Sequence, residues 1–113
     1  MDIKGTDLFM IRGDSESIRI QCLDENEEMR PFVPGDTVTM TVARPGDGSF
    51  VIQKKVTAFS EDGAAEVVLY PEDTADLMAG PYRYDVQLDG ADGTVKTIIR
   101  PSLFEIGGDV TRG

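Results

Sequence analysis

The chain has 113 residues, of which 40% are hydrophobic and 28% are charged, as expected of one ordinary globular domain. Its formal net charge of −10 repels phosphate backbones and anionic membranes, so we expect neither nucleic acid nor a membrane among its partners. The chain has no histidine, which removes the commonest general base and metal ligand, and we expect no cofactor. The single cysteine, Cys22, excludes an intrachain disulfide.

The first residues lack the basic run and apolar core of a secretory signal peptide. No apolar stretch approaches the ~20 residues that a membrane-spanning helix needs. These features predict a cytoplasmic origin. Composition further predicts a flexible N-terminus at residues 1–6, a single domain at residues 7–106 and a flexible tail at residues 107–113.

Short apolar or alternating segments predict β-strands in the first two thirds of the chain. The predicted strands are residues 7–11, 17–22, 36–44, 49–57 and 65–70. The first is apolar on both faces, and we interpret it as an edge strand. Residues 36–44 alternate most clearly, with Val38, Met40 and Val42 facing inward and threonines facing outward. Residues 49–57 alternate less clearly, so their register stays open.

A short helical turn is predicted at residues 71–79, because Pro71 suits a first helical position and acidic residues follow it. The corner Gly80-Pro81-Tyr82 comes next and opens a strand at residues 82–88 whose tyrosines face the core. A Gly-x-Tyr corner of this kind is typical of immunoglobulin-like sandwiches, in which the tyrosine hydroxyl bonds to nearby backbone. We interpret it as a crossing between two sheets.

An Asp-Gly hairpin loop at residues 89–93 precedes a returning strand at residues 94–100. Pro101 predicts a kink, followed by a last short strand at residues 102–106. Short strands with turns about every ten residues predict an all-β fold. We expect an immunoglobulin-like antiparallel β-sandwich of about seven to nine strands with one short helical turn, and a small closed barrel is the alternative.

The tetrapeptide Arg12-Gly13-Asp14-Ser15 spells an integrin-recognition motif. A functional version needs an exposed loop of an extracellular protein, whereas this one lies between two predicted strands. Glycine and aspartate are also ordinary turn residues. We interpret the motif as a structural turn.

Clusters of acidic residues raise the question of calcium, which takes six to eight oxygen ligands. They are Asp24, Glu25, Glu27, Glu28, Asp47, Asp89 and Asp92. None has the spacing of an EF-hand loop, so solvated loops and turn formers are the favoured interpretation. Cys22 lies on the apolar face of its strand without an activating histidine, which favours a core position over a nucleophile. We expect no enzymatic activity.

The order of several short motifs resembles the small immunoglobulin-like domains of tailed-bacteriophage and prophage structural proteins, in particular the N-terminal domain of the baseplate upper protein family. The resemblance covers roughly residues 8–106. The motifs are Arg12-Gly13-Asp14-Ser15, Ile18-x-Ile20, Asp24, Pro34-Gly35-Asp36-Thr37-Val38 with its strand ending at Arg44, Asp73-Thr74, Leu77-x-x-Gly80-x-Tyr82-x-Tyr84-Asp85-Val86 and an Asp-Gly hairpin.

The resemblance implies a virion structural or assembly module that contacts other virion proteins, located in the virion or the host cytoplasm. The apolar first strand, Leu8, Phe9, Met10 and Ile11, is the predicted interaction edge, and we expect a homo-oligomer or another partner to cover it. The alternative is a carbohydrate-binding or adhesin-type module of a bacterial surface protein. That alternative needs exposed aromatic rings, but tryptophan is absent and Tyr70, Tyr82 and Tyr84 are predicted to lie in or near the core.

Overall fold

The computed structural model describes residues 1–111. This part of the chain forms ten strands and one short helix. They are β1 (Asp2–Lys4), β2 (Asp7–Ile11), β3 (Glu16–Ile20), β4 (Cys22–Leu23), β5 (Met29–Arg30), β6 (Thr37–Ala43), β7 (Phe50–Val56), β8 (Ala65–Leu69), α1 (Pro71–Thr74), β9 (Gly80–Asp89) and β10 (Val95–Gly107).

The strands form one large sheet and two small ones. The large sheet has the order β1-β2-β10-β9-β6-β7, while β3 pairs with β8 and β4 pairs with β5. All pairings are antiparallel except that of β2 with β10, which is parallel. Residues of β3, β4 and β8 share one buried apolar cluster with those of the large sheet. The predicted all-β sandwich is confirmed. Its more specific assignment as immunoglobulin-like stays a prediction.

The centre of the core lies on β6 and β9, which pair with each other along their lengths. Val38, Met40 and Val42 are 0% exposed, and the inward residues of β9 are also buried. Outward residues of both strands are half-buried or exposed. The alternation predicted for this pair of strands is therefore confirmed.

The chain crosses from the small sheet to the large one between β8 and β9, through α1 and the Gly80-Pro81-Tyr82 corner. Gly80 has a φ of 141°, a backbone conformation that favours glycine. The Tyr82 hydroxyl donates a hydrogen bond of 2.7 Å to the carbonyl oxygen of Met78. The predicted tyrosine-to-backbone bond and the crossing between sheets are both confirmed.

Residues 1–6 differ from the prediction of a flexible N-terminus. Asp2–Lys4 pairs with β2, and the amino group of Met1 forms an ion pair of 2.8 Å with Glu16. Burial raises the pKa of Tyr84 to about 12, with a further contribution from Asp7, so its hydroxyl stays protonated and donates to the Thr6 carbonyl. Backbone pairing and long-range polar contacts thus hold this segment against the domain.

The C-terminal third also departs from expectation in two places. The two strands predicted on either side of Pro101 are one strand, β10, which absorbs the proline through register shifts against β9. Of the predicted tail, Gly107 belongs to β10 and the Asp109 carboxylate accepts a bond of 2.9 Å from Arg12 Nε. Residues 112–113 lie outside the described residues.

Replacing Tyr82, which is 6% exposed, tests the corner. We expect Tyr82→Ala to cost ~3–5 kcal/mol through the cavity it leaves, which is most of the stability of a domain near the lower end of the ordinary range of ~5–15 kcal/mol. Tyr82→Phe removes only the hydroxyl bond and is expected to cost ~1 kcal/mol. The exposed neighbour Arg83→Ala is the control. Equal melting temperatures for Tyr82→Ala and Arg83→Ala would contradict the assignment.

Candidate functional site: a groove on the outer face of the large sheet

The predicted interaction edge is not an edge. β2 lies between β1 and β10, so both of its sides are paired. Leu8 and Met10 are 3% and 4% exposed and belong to the domain's own core, whereas Phe9 is half-buried and Ile11 is 44% exposed. A partner is therefore not needed to cover this strand, which corrects the expectation drawn from its apolar sequence.

The Arg12-Gly13-Asp14 segment is a turn between β2 and β3 and is joined to distant parts of the fold. The backbone N–H of Gly13 donates a bond of 2.7 Å to the buried Thr74 hydroxyl in α1. Arg12 donates to Asp109 and, at 3.2 Å, to the Leu77 carbonyl. These contacts support the structural interpretation of the motif.

The acidic turns use their carboxylates locally. Asp24 accepts bonds from the backbone N–H groups of Asn26 and Glu28, at 2.8 and 3.0 Å. Asp47 and Asp92 each accept a bond of 2.9 Å from the N–H two residues further on. These N–H groups lower the pKa of Asp47 and Asp92. Within residues 1–111, no group of three or more acidic or cysteine side chains is placed to hold a metal ion.

The sequence predicts Cys22 in the core and Tyr70 in or near it, and the two residues differ in the structure. Cys22 is 1% exposed and packs in the apolar cluster, as predicted. Tyr70 is 52% exposed, with the Lys54 ammonium 5.3 Å from the centre of its ring. The prediction that Tyr70 lies in or near the core is therefore wrong. It precedes α1, where its backbone N–H donates to Asp73 at 2.7 Å.

The carboxylate of Asp36 lies in an unusual environment for a charged group, because it is 1% exposed. It accepts hydrogen bonds from the Val33 N–H at 3.0 Å, the Ala91 N–H at 2.9 Å and Arg30 Nη1 at 2.9 Å. These donors, the Val33 N–H foremost, lower the pKa of Asp36 despite its burial. Asp36 therefore joins its own loop to β5 and to the loop between β9 and β10 as an ionised acceptor at neutral pH, which is a structural role.

A groove on the outer face of the large sheet is lined by polar side chains of three neighbouring strands. Its floor is β6, whose outward residues Thr39, Thr41 and Ala43 have short side chains. Longer side chains stand opposite them on both neighbouring strands. On β7 these are Lys55, Gln53 and Phe50, and on β9 they are Gln87, Asp85 and Arg83. Short side chains between two rows of long side chains form the groove.

The groove has a volume of about 440 Å³, within the range of small-molecule sites. Tyr84, Asp89 and Pro101 complete its lining. Phe50 is 68% exposed at one end, where it faces Ala43. The register shift between Val42 and Ala43 places Phe50 on this outer face. Strict alternation from the buried Ile52 would have placed Phe50 in the core, so sequence reasoning missed it.

Comparisons with known proteins identify the architecture. No family model and no curated protein matches the chain. Among solved structures, the chain is similar to part of a metagenome-derived glycoside hydrolase family 9 endoglucanase, with a TM-score of 0.51 and 18% identity. The match covers 89% of this chain and 17% of the endoglucanase chain, so the chain spans about a sixth of that protein. At this identity the likeness shows a shared fold and nothing more.

Asp36 provides a test through acid stability. Its folded pKa lies below the unfolded value of ~3.9, so its contribution is complete above that value and is lost as pH falls through the folded pKa. We expect Asp36→Asn to lower the free energy of unfolding at pH 7 by about 2–4 kcal/mol, because buried donors lose their charged acceptor. Denaturant unfolding of the variant should also depend less on pH between ~5 and ~3 than that of the parent. Equal pH dependence of the two proteins would show that Asp36 is not a major acid-sensitive group.

Proposed function

We propose that the chain is a non-enzymatic structural or assembly module of a phage or prophage particle, of the tail or baseplate type, and that it acts through protein–protein contacts. The order of motifs along residues 8–106 supports this proposal, because it resembles that of the small domains in such particles. No helix among the described residues is long and apolar enough to cross a membrane.

The observation that carries the proposal is the open β1 edge of the large sheet. β1 pairs with β2 on one side and has no strand on its other side within residues 1–111. Ile3 on this strand is 63% exposed. An unpaired strand with exposed apolar side chains offers backbone and apolar contacts to a partner strand. The contact surface we propose is therefore β1 with its exposed Ile3, in place of the side chains of β2.

The proposal is tested on particles released from the source strain after prophage induction and purified on a density gradient. We expect mass spectrometry to find this chain in the fractions that contain intact particles. Detection of the chain in the cell lysate but in none of the particle fractions would overturn the proposed role.

The contact surface is tested by substituting its most exposed apolar side chain. Ile3→Glu places a charge on the open edge and is expected to lower incorporation into particles at least about tenfold, since a buried unpaired charge is costly. Met78→Glu is the matched control, because Met78 is 80% exposed and lies outside β1, in the segment between α1 and β9. Because both positions are exposed, both variants should keep the parent's melting temperature within a few degrees. Equal incorporation of the two variants would rule out β1 as the contact.

A further inference from the structure

We propose that the groove on the outer face of the large sheet binds a neutral oligosaccharide. The juxtaposition that carries the proposal is a row of amide, hydroxyl and charged side chains between β7 and β9, ending at the exposed ring of Phe50. This activity is separate from a role in particle assembly, and either can hold without the other.

The charges of the groove favour an uncharged ligand. The chain as a whole carries a net charge of −10, yet the groove contains two cations and two anions. These are Lys55, Arg83, Asp85 and Asp89. A polyanion would gain little from this balanced site and would be repelled by the rest of the surface, and a polycation would find no local excess of acid. A neutral polar ligand can use both signs as hydrogen-bond partners.

The polar groups of the groove have bonding capacity left. Gln53 donates one bond of 3.1 Å to Thr41, and Arg83 donates one of 3.2 Å to the Pro101 carbonyl. Within residues 1–111, the side chains of Lys55, Asp85 and Gln87 form no hydrogen bond or ion pair. Side chains with both donors and acceptors, fixed on paired strands, suit the hydroxyl groups of a sugar chain.

The shape of the groove favours a chain of sugar rings over a single ring or a peptide. From Arg83 to Asp89 the groove runs along β9 for ~20 Å, a length that accommodates several sugar rings in a row. The floor strand β6 and the wall strand β9 are each paired on both sides, so neither offers free backbone to an extended peptide. Phe50 presents an aromatic face at the end of the row, on which the apolar face of a sugar ring can pack.

The test uses the full chain and a panel of hexasaccharides. The neutral members are the β-1,4-glucan, β-1,3-glucan, α-1,4-glucan, β-1,4-xylan and N-acetylglucosamine hexamers. Hexagalacturonate and the glucosamine hexamer are the anionic and cationic comparators. We expect at least one neutral member to bind at millimolar concentration or below by titration calorimetry, more tightly than either charged comparator. Backbone-amide NMR signals that shift should cluster at the groove residues of β6, β7 and β9.

Substitutions locate the site. Phe50→Ala and Gln87→Ala are each expected to raise Kd about fivefold to tenfold, by loss of stacking and of hydrogen bonds respectively. The matched controls are Met78→Ala and Gln21→Ala, whose side chains are exposed outside the groove. All four variants should retain the parent's far-ultraviolet circular dichroism spectrum.

Four outcomes would overturn the proposal. They are no binding of any neutral member, tighter binding of a charged comparator, equal Kd values for the groove variants and their controls, and groove signals that shift with protein concentration alone. The last result would indicate that a second copy of the chain occupies the groove.

Discussion

The pairing of β6 with β9 imposes the constraint on which most of the molecule depends. Successive side chains of a strand point to opposite faces, so the register of these two strands assigns every residue to one face. Met40 and Val86 lie opposite each other in the core, while Thr41 and Asp85 lie opposite each other in the groove. A slip of one residue would exchange the two faces. The apolar core therefore also determines which polar side chains stand together outside it.

Loops at the ends of the sandwich are held by polar side chains that bond to distant backbone. Asp36 reaches the hairpin at Ala91, Thr74 accepts from the Gly13 turn, and Tyr84 donates to Thr6. No buried side-chain nitrogen or oxygen among the described residues lacks a hydrogen-bond partner. Because a buried polar group without a partner is costly, each of these contacts fixes the path of a loop as well as its own side chain.

Local sequence patterns correctly predicted the features that depend only on residues close together in the chain. The alternation of residues 36–44, the inward tyrosines after Gly80 and the turn-forming aspartates all depend on near neighbours, and all are confirmed. The prediction that β2 is an edge depended on which strands become its neighbours, and it was wrong. The apolar run of β2 suggested an edge that a partner covers. A strand that pairs with its own domain on both sides can have the same apolar sequence, and β2 pairs with β1 and β10. Tyr70 was predicted to lie in or near the core, but Ala65, Val67 and Leu69 form the buried face of β8, and Tyr70, which follows Leu69, is exposed.

By itself, the sequence determined an acidic, histidine-free all-β domain with a tyrosine corner between two sheets, because composition and period-two alternation are local properties. Only the tertiary structure decided the strand order, the pairing of β1 and the groove. The register shift opposite Ala43 shows the reason. It turns Phe50 outward against the alternation of its own strand, and it exists only in the pairing of β7 with β6. The candidate site is a property of strands brought side by side.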